Sequence, residues 1–225
     1  MSGETLRFCP VILGHYAPAL ALKAARPSVP LWVLFIGVQV LDIAWAILVL
    51  VGIERGRIVE GATASNPLTL DYIPFSHSLV AAIVWAVVSG GVAARALRSR
   101  AAGVAVGAAV ASHWVADLVV HVPDLPLAAG DGIKLGIGLW QQPVLALAIE
   151  LALVGAGLAL YAKATNGSRL PFLVFATTLV GLTVAGYYAP FPASVEVAAA
   201  AGVGLYLSLA ALAFFVDRAR SRRAA

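Results

Sequence analysis

A single cysteine, Cys9, excludes an internal disulfide and any thiolate-based zinc cluster. Charge is also scarce: 12% of the residues are charged, where a soluble domain carries about a quarter. There is no internal repeat and no low-complexity tract, so solenoid and linker architectures are not indicated. The formal net charge of +4 does not indicate a nucleic-acid partner, because the basic residues sit at the ends of apolar runs, where membrane topology is encoded. What the chain has is apolar length. It is 61% hydrophobic over 225 residues, with a mean hydropathy of +0.94. These values predict an all-α membrane protein, a polytopic helical bundle occupying residues 1–225 as one integral membrane domain.

Six long runs read as spans: 31–53, 75–94, 101–121, 143–162, 170–189 and 195–216. Before them, 8–22 is apolar but interrupted by Pro10, Gly14, His15 and Pro18. It is short for a crossing that needs about 20 residues, and it is expected as a short or re-entrant helix packed against the bundle. A cleaved signal peptide is the alternative, with Arg7 ahead of an apolar run, and the internal His15 and prolines argue against it. Residues 54–71 and 122–142 read as polar loops. Alternate loops and the tail hold eleven Lys and Arg residues (Lys23, Arg26, Arg95, Arg98, Arg100, Lys163, Arg169, Arg218, Arg220, Arg222 and Arg223), against three on the other side (Arg55, Arg57 and Lys134). The richer side, with the basic C-terminal tail, is expected in the cytoplasm.

The informative exception is the stretch Ser112-His113-Trp114-Val115-Ala116-Asp117-Leu118-Val119-Val120-His121. At about 100° per residue, positions 113, 117 and 121 fan over about 80° of one helix face. Intramembrane ionisable groups are expensive and generally mark a site. The antiparallel pairing implied by the Arg95–Arg100 turn brings His77 to about the level of His121, with Asp117 one turn deeper. Asp42, eleven residues inside Ile53, lies about 16 Å from the outer end of its own span. Asp42, His77, His113 and Asp117 can thus converge in the outer half of the bundle.

Neutral imidazole and carboxylate are the standard ligands of zinc and related divalent metals. His113 and Asp117, at i and i+4, can bite one ion from one face, with Asp42 and His77 completing the set and His15 as a further candidate ligand. Two buried aspartates with no Lys or Arg at their depth require protons or a cation. His121 reads as a ligand, an outer partner or an interfacial residue. Asp71 and Glu150 are the candidate proton acceptors, and Glu150 equally fits a bond between helices. Asp124 and Asp131 fit turn or cap positions, and Trp114 and Trp140 fit membrane-interface anchors.

Gly14-His15, Leu41-Asp42-Ile43, Phe75-Ser76-His77-Ser78-Leu79 and Ser112-His113-Trp114-Val115-Ala116-Asp117 occur in that order over about the first 125 residues. This pattern resembles a bacterial inner-membrane family described as membrane-bound metal-dependent hydrolases, associated with LexA-regulated inner-membrane proteins. That family shows Gly-His, Asp-x-Asp, His-Arg-Gly-x-Thr-His-Ser and Ser-His-x-x-x-Asp. The last motif matches fully. Ala44 stands in place of the second acid, Asp71-Tyr72-Ile73-Pro74 stands where His-Arg-Gly would fall, and Ser76 replaces Thr. Fewer ligands favour one metal over two, or a member that has lost activity.

The resemblance implies a divalent metal, zinc first, that activates water to attack an ester, phosphoester or amide. A lipid or lipid-linked substrate in the inner membrane is expected, with the bilayer as the surrounding partner. Two other readings stay open on the residues alone. One is a transporter or ion pathway using intramembrane His, Asp and Glu, and the other is a structural membrane subunit with a bonded polar core.

Overall fold

The computed structural model describes residues 13–130 and 132–222. Residues 8–12 of the expected N-terminal segment, Asp131 and Arg223 lie outside the described residues. A single 3-10 turn, Leu13–His15, leads into α1 (Tyr16–Ala25), followed by α2 (Leu31–Val38) and α3 (Val40–Leu50). A β-hairpin of β1 (Arg55–Ile58) and β2 (Leu68–Tyr72) precedes α4 (Leu79–Ala96) and α5 (Arg100–Val120). A two-residue ladder, β3 (Leu125–Pro126) with β4 (Lys134–Leu135), leads to α6 (Pro143–Ala164). β5 (Thr165–Gly167), α7 (Arg169–Gly186), α8 (Val195–Arg218) and β6 (Arg220–Arg222) complete the chain.

The architecture is all-α and polytopic, as the composition requires. α4, α5, α6, α7 and α8 are each long and apolar enough to cross a membrane, and α2 with α3, bent by 52° at their break, has the length and composition of either a broken sixth span or a re-entrant loop. Exposed valines, isoleucines and leucines such as Val87, Val92, Val104, Val144 and Leu170 cover the outward faces, which suits a helix set in lipid. The expected spans agree with these elements to within a few residues, with two differences. The run 75–94 enters its helix only at Leu79, because Ser78 accepts the Ala81 N–H at 3.1 Å as an N-cap, so His77 sits in the turn before the helix. The expected loop 54–71 is largely the β1–β2 hairpin.

α1 has ten residues, about 15 Å of helix, and does not cross. It is buried between α2 and α6. Glycine makes that approach possible: a Cβ on Gly157 would stand 3.1 Å from the Ala17 Cα, and one on Gly14 3.2 Å from the Glu150 Cγ. Pro18 falls in the first turn of α1, where its missing N–H costs nothing. At the far end of the bundle Lys23 is also buried. Its ammonium donates to the carbonyls of Pro27 and Val29 at 3.0 Å and to Asp217 of α8 at 2.8 Å, which ties the first helix to the last. β5 pairs with β6 at that same end, and Arg220 lies over the Phe172 ring at 4.7 Å.

α4 and α5 form a tight antiparallel pair turned through Arg98, whose φ of 50° is left-handed. Their backbones meet at glycine, as small-residue interfaces do in membranes. A Cβ on Gly103 would fall 2.6 Å from the Gly90 carbonyl oxygen and from the Ala94 Cβ. Gly103→Leu is therefore expected to cost about 1–3 kcal/mol through forced separation of the pair. Gly91→Ala, where a new methyl meets nothing within 4 Å, should stay within about 0.5 kcal/mol of the parent. Thermal unfolding of the two variants in one detergent checks the difference.

Candidate metal centre

Five elements meet at the end of the bundle that carries the β1–β2 hairpin. The break between α2 and α3 is the first. Gln39 leaves helical geometry with φ −109° and ψ 7°, and the Val38 carbonyl at the break accepts from His113 Nδ1 at 2.5 Å. A side chain inserted into the backbone ladder is a recognised cause of a kink. The new helix then starts so that Asp42 lies in its first turn. α5 supplies His113 and Asp117 two turns and one turn before its end, about 10 Å and 5 Å inside it. The turn before α4 supplies His77, and the 3-10 turn before α1 supplies His15.

The four inner atoms are measured against one another. His77 Nε2 lies 3.3 Å from Asp42 Oδ1 and 3.5 Å from Asp117 Oδ2. His113 Nε2 lies 3.4 Å from Asp42 Oδ1 and 3.2 Å from Asp117 Oδ2. Two ligand atoms about 2.0–2.2 Å from a tetrahedral ion are about 3.3–3.6 Å apart, a spacing these four pairs have; Asp42, His77 and His113 form one group able to hold an ion, and His15, His113 and Asp117 form a second that shares His113.

Proton placement, assigned from the network, points the same way. A carbonyl only accepts, so His113 carries its proton on Nδ1 toward Val38. Ser76 donates its hydroxyl to Glu54 Oε2 at 2.5 Å and therefore accepts from His77 Nδ1 at 2.7 Å. Glu54 is itself fixed by the backbone N–H groups of Phe75 and Ser76 at 2.8 and 2.9 Å. In the neutral tautomer that these bonds select, both imidazoles turn a bare Nε2 toward two carboxylate oxygens. His113 Nε2 and Asp117 Oδ2 are buried without the alignment of a hydrogen bond. Imidazole and carboxylate lone pairs held this close, with His77, His113 and Asp117 buried and Asp42 on the cavity, form a group able to hold a cation. Among the described residues, every ion-pair partner of Asp42 and Asp117 is a histidine.

The remaining residues arrange themselves around that core. His15 Nε2 lies 3.0 Å from Asp117 Oδ1, where it can orient that carboxylate as a donor, and His15, His113 and Asp117 also lie close enough together to hold an ion. Tyr206 of α8 donates to Asp42 Oδ2 at 2.8 Å and orients the other carboxylate in the same way. Trp114 is buried and donates to the His77 carbonyl at 2.9 Å. His121 donates from Nδ1 to Asp124 Oδ1 at 3.0 Å, leaving Nε2 3.7 Å from Asp117 Oδ1, with the buried Trp140 ring 4.3 Å from its own. Of the two tryptophans expected as interface anchors, Trp140 lines the cavity beside His121, and Trp114 is buried behind the His77 turn.

A cavity of about 200 Å³ opens onto this group, lined by Asp42, His77, Asp117, His121, Trp140 and Tyr206 among others. The structure thus brings together His15, Asp42, His77, His113 and Asp117. It does not bring Asp71 or Glu150 to the cavity. Asp71 is exposed on β2 and paired with Arg57 at 2.6 and 3.0 Å; that hydrogen-bonded guanidinium holds its carboxyl below the usual carboxylate range. Glu150 is buried on α6, where it accepts from Tyr187 at 2.8 Å and backs onto the Gly14 turn that presents His15.

Sequence reasoning missed Glu54, Ser76, Asp124 and Tyr206. Ser76 beside His77 and Asp124 three residues after His121 were local signals; Glu54 and Tyr206 had none. No family model, curated protein or solved structure matches this chain.

Outer partners of ligand histidines are worth about 10–100-fold in metal affinity. Glu54→Gln, which loosens the Ser76–His77 relay, is expected to weaken zinc binding by that factor, whereas Asp71→Asn leaves it unchanged. Competition titration against a chelating indicator measures both.

Proposed function

We propose that this chain is a membrane-embedded metal-dependent hydrolase of the bacterial inner membrane, as its motif resemblance implies. The observation that carries the reading is the convergence of two bare imidazole nitrogens and two carboxylate oxygens at 3.2–3.5 Å beside a cavity. Asp42, His77, His113 and Asp117 are the proposed ligands, and zinc suits their donor types and spacing. Two aspartates balance one divalent charge, so the occupied site is neutral, which an apolar bundle favours. When bound, the ion supplies Lewis acidity toward a substrate oxygen and acidifies water toward neutrality.

The chain's own residues supply the rest. His121 replaces Asp71 and Glu150 as the proton acceptor: its Nε2 is bare, it lines the cavity, and Asp124 fixes its tautomer from behind. His15 and Tyr206 hold the two carboxylates so that one oxygen of each points inward. The apolar walls limit bulk water around the reacting group. The distribution of basic residues favours a cytoplasmic tail and a site toward the outer leaflet, where lipid or lipid-linked esters are at hand.

Metal analysis tests the ligands. The purified protein should hold about one equivalent of zinc, and the His113→Ala, Asp117→Ala double variant should hold far less; equal sub-stoichiometric metal in both sinks the reading. His121→Gln should keep its zinc and lose about 10²–10⁴-fold in turnover. Loss of zinc together with turnover would make His121 a ligand instead.

A further inference from the structure

We infer that the substrate is an uncharged acyl ester of medium chain length, its apolar limb lying along one face of α8; this rests on the hydrolytic reading above. The cavity is not evenly lined. Ala198, Ala201, Gly202 and Leu205, at helical spacings of three, one and three, form one wall, and Tyr206 closes its deep end beside Asp42. Trp45, Leu68 and Leu70 add apolar surface to the lining. An apolar trough therefore ends directly at the proposed metal ligands. From Ala198 to Leu205 is about 10 Å along the helix. An extended chain advances about 1.2 Å per bond, so this face accommodates about eight methylene groups.

Charge selects the reacting group. The ionisable residues lining the cavity are Asp42, His77, Asp117, His121 and the phenol of Tyr206; among the described residues no Lys or Arg lines it. Two aspartates already balance a divalent ion. A phosphate would bring an anion with no cationic side chain to meet it, where phosphoryl sites use Arg and Lys clamps. A carboxylic ester brings none. Asn66, whose Oδ1 accepts from the Leu68 N–H at 2.8 Å, lines the cavity with an amide NH₂ that suits an ester oxygen. In the reaction, water adds its oxygen to the acyl carbon and the acyl C–O bond breaks. One water proton passes through His121 to the departing alkoxide, which leaves as the alcohol, and the other remains on the carboxylic acid.

The test uses the full-length, zinc-loaded protein in phosphatidylcholine nanodiscs. Hydrolysis of p-nitrophenyl octanoate should exceed that of bis(p-nitrophenyl) phosphate by about 100-fold in kcat/KM, and Ala201→Leu should lower octanoate turnover about 10-fold while sparing p-nitrophenyl acetate. Comparable phosphodiester turnover, or equal losses on both esters, overturns the inference. A second arm does not need turnover. An octyl ester bearing a diazirine should label the Ala198–Tyr206 segment, and p-nitrophenyl octanoate should compete where octyl phosphate does not. Labelling confined to other segments, or equal competition, overturns it as well. Zinc below one equivalent instead brings down the metal reading itself, so the two failures are told apart.

Discussion

Asp42 and Asp117 are two carboxylates inside an apolar bundle, and no Lys or Arg reaches them among the described residues. The rest of the site follows from that constraint. Burying an unpaired carboxylate costs several kcal/mol, so each oxygen needs a partner. Outward-facing oxygens take protons from His15 and Tyr206. Inward-facing oxygens meet imidazoles whose own protons are committed elsewhere, to the Val38 carbonyl and to the Ser76–Glu54 relay. The break between α2 and α3, the 3-10 turn before α1 and the turn before α4 are all irregular backbone at one end of the bundle. Such backbone persists only where protein satisfies its polar groups, and here the same bonds that satisfy it also aim the histidines.

The bundle is divided by chemistry. At one end, Lys23 and Asp217 form an ion pair with every ammonium proton placed, beside the β5–β6 ladder and the stacked Arg220. That is a satisfied structural clamp. At the other end, nitrogen and oxygen lone pairs converge without protons between them, next to a cavity. Hydrogen-bond accounting thus separates a Lys–Asp clamp whose ammonium protons all have acceptors from a His–Asp cluster in which His113 Nε2 and Asp117 Oδ2 have no hydrogen-bond partner.

Much of this was legible before any coordinates. The apolar runs mark the helices that span or enter the membrane, and the 3.6-residue period with the antiparallel pairing at the Arg95–Arg100 turn made a meeting of His77, His113 and Asp117 at one level compatible with the sequence, with Asp42 at a similar depth on another span. What was not legible depends on contacts between distant segments. Glu54 and Ser76 act together across a hairpin, and Tyr206 reaches Asp42 over 164 positions of sequence. Asp71 and Glu150 illustrate the opposite error. Arg57 and Tyr187 already occupy them, and a carboxylate's partner is invisible in its own neighbourhood of the sequence.

The clamp between Lys23 and Asp217 has a bearing on biogenesis. His15 and Tyr206 stand near opposite ends of the polypeptide, and α1, which carries His15 at its start, is held by α6 and by the last turn of α8. During synthesis the first five helices are present long before α8 leaves the ribosome. The two aspartates are then inserted without their outer donors, in a chain whose half-length first helix has not found its seat. The hydrogen bond from Tyr206 to Asp42 and the clamp on α1 can therefore form only after the last helix has been inserted.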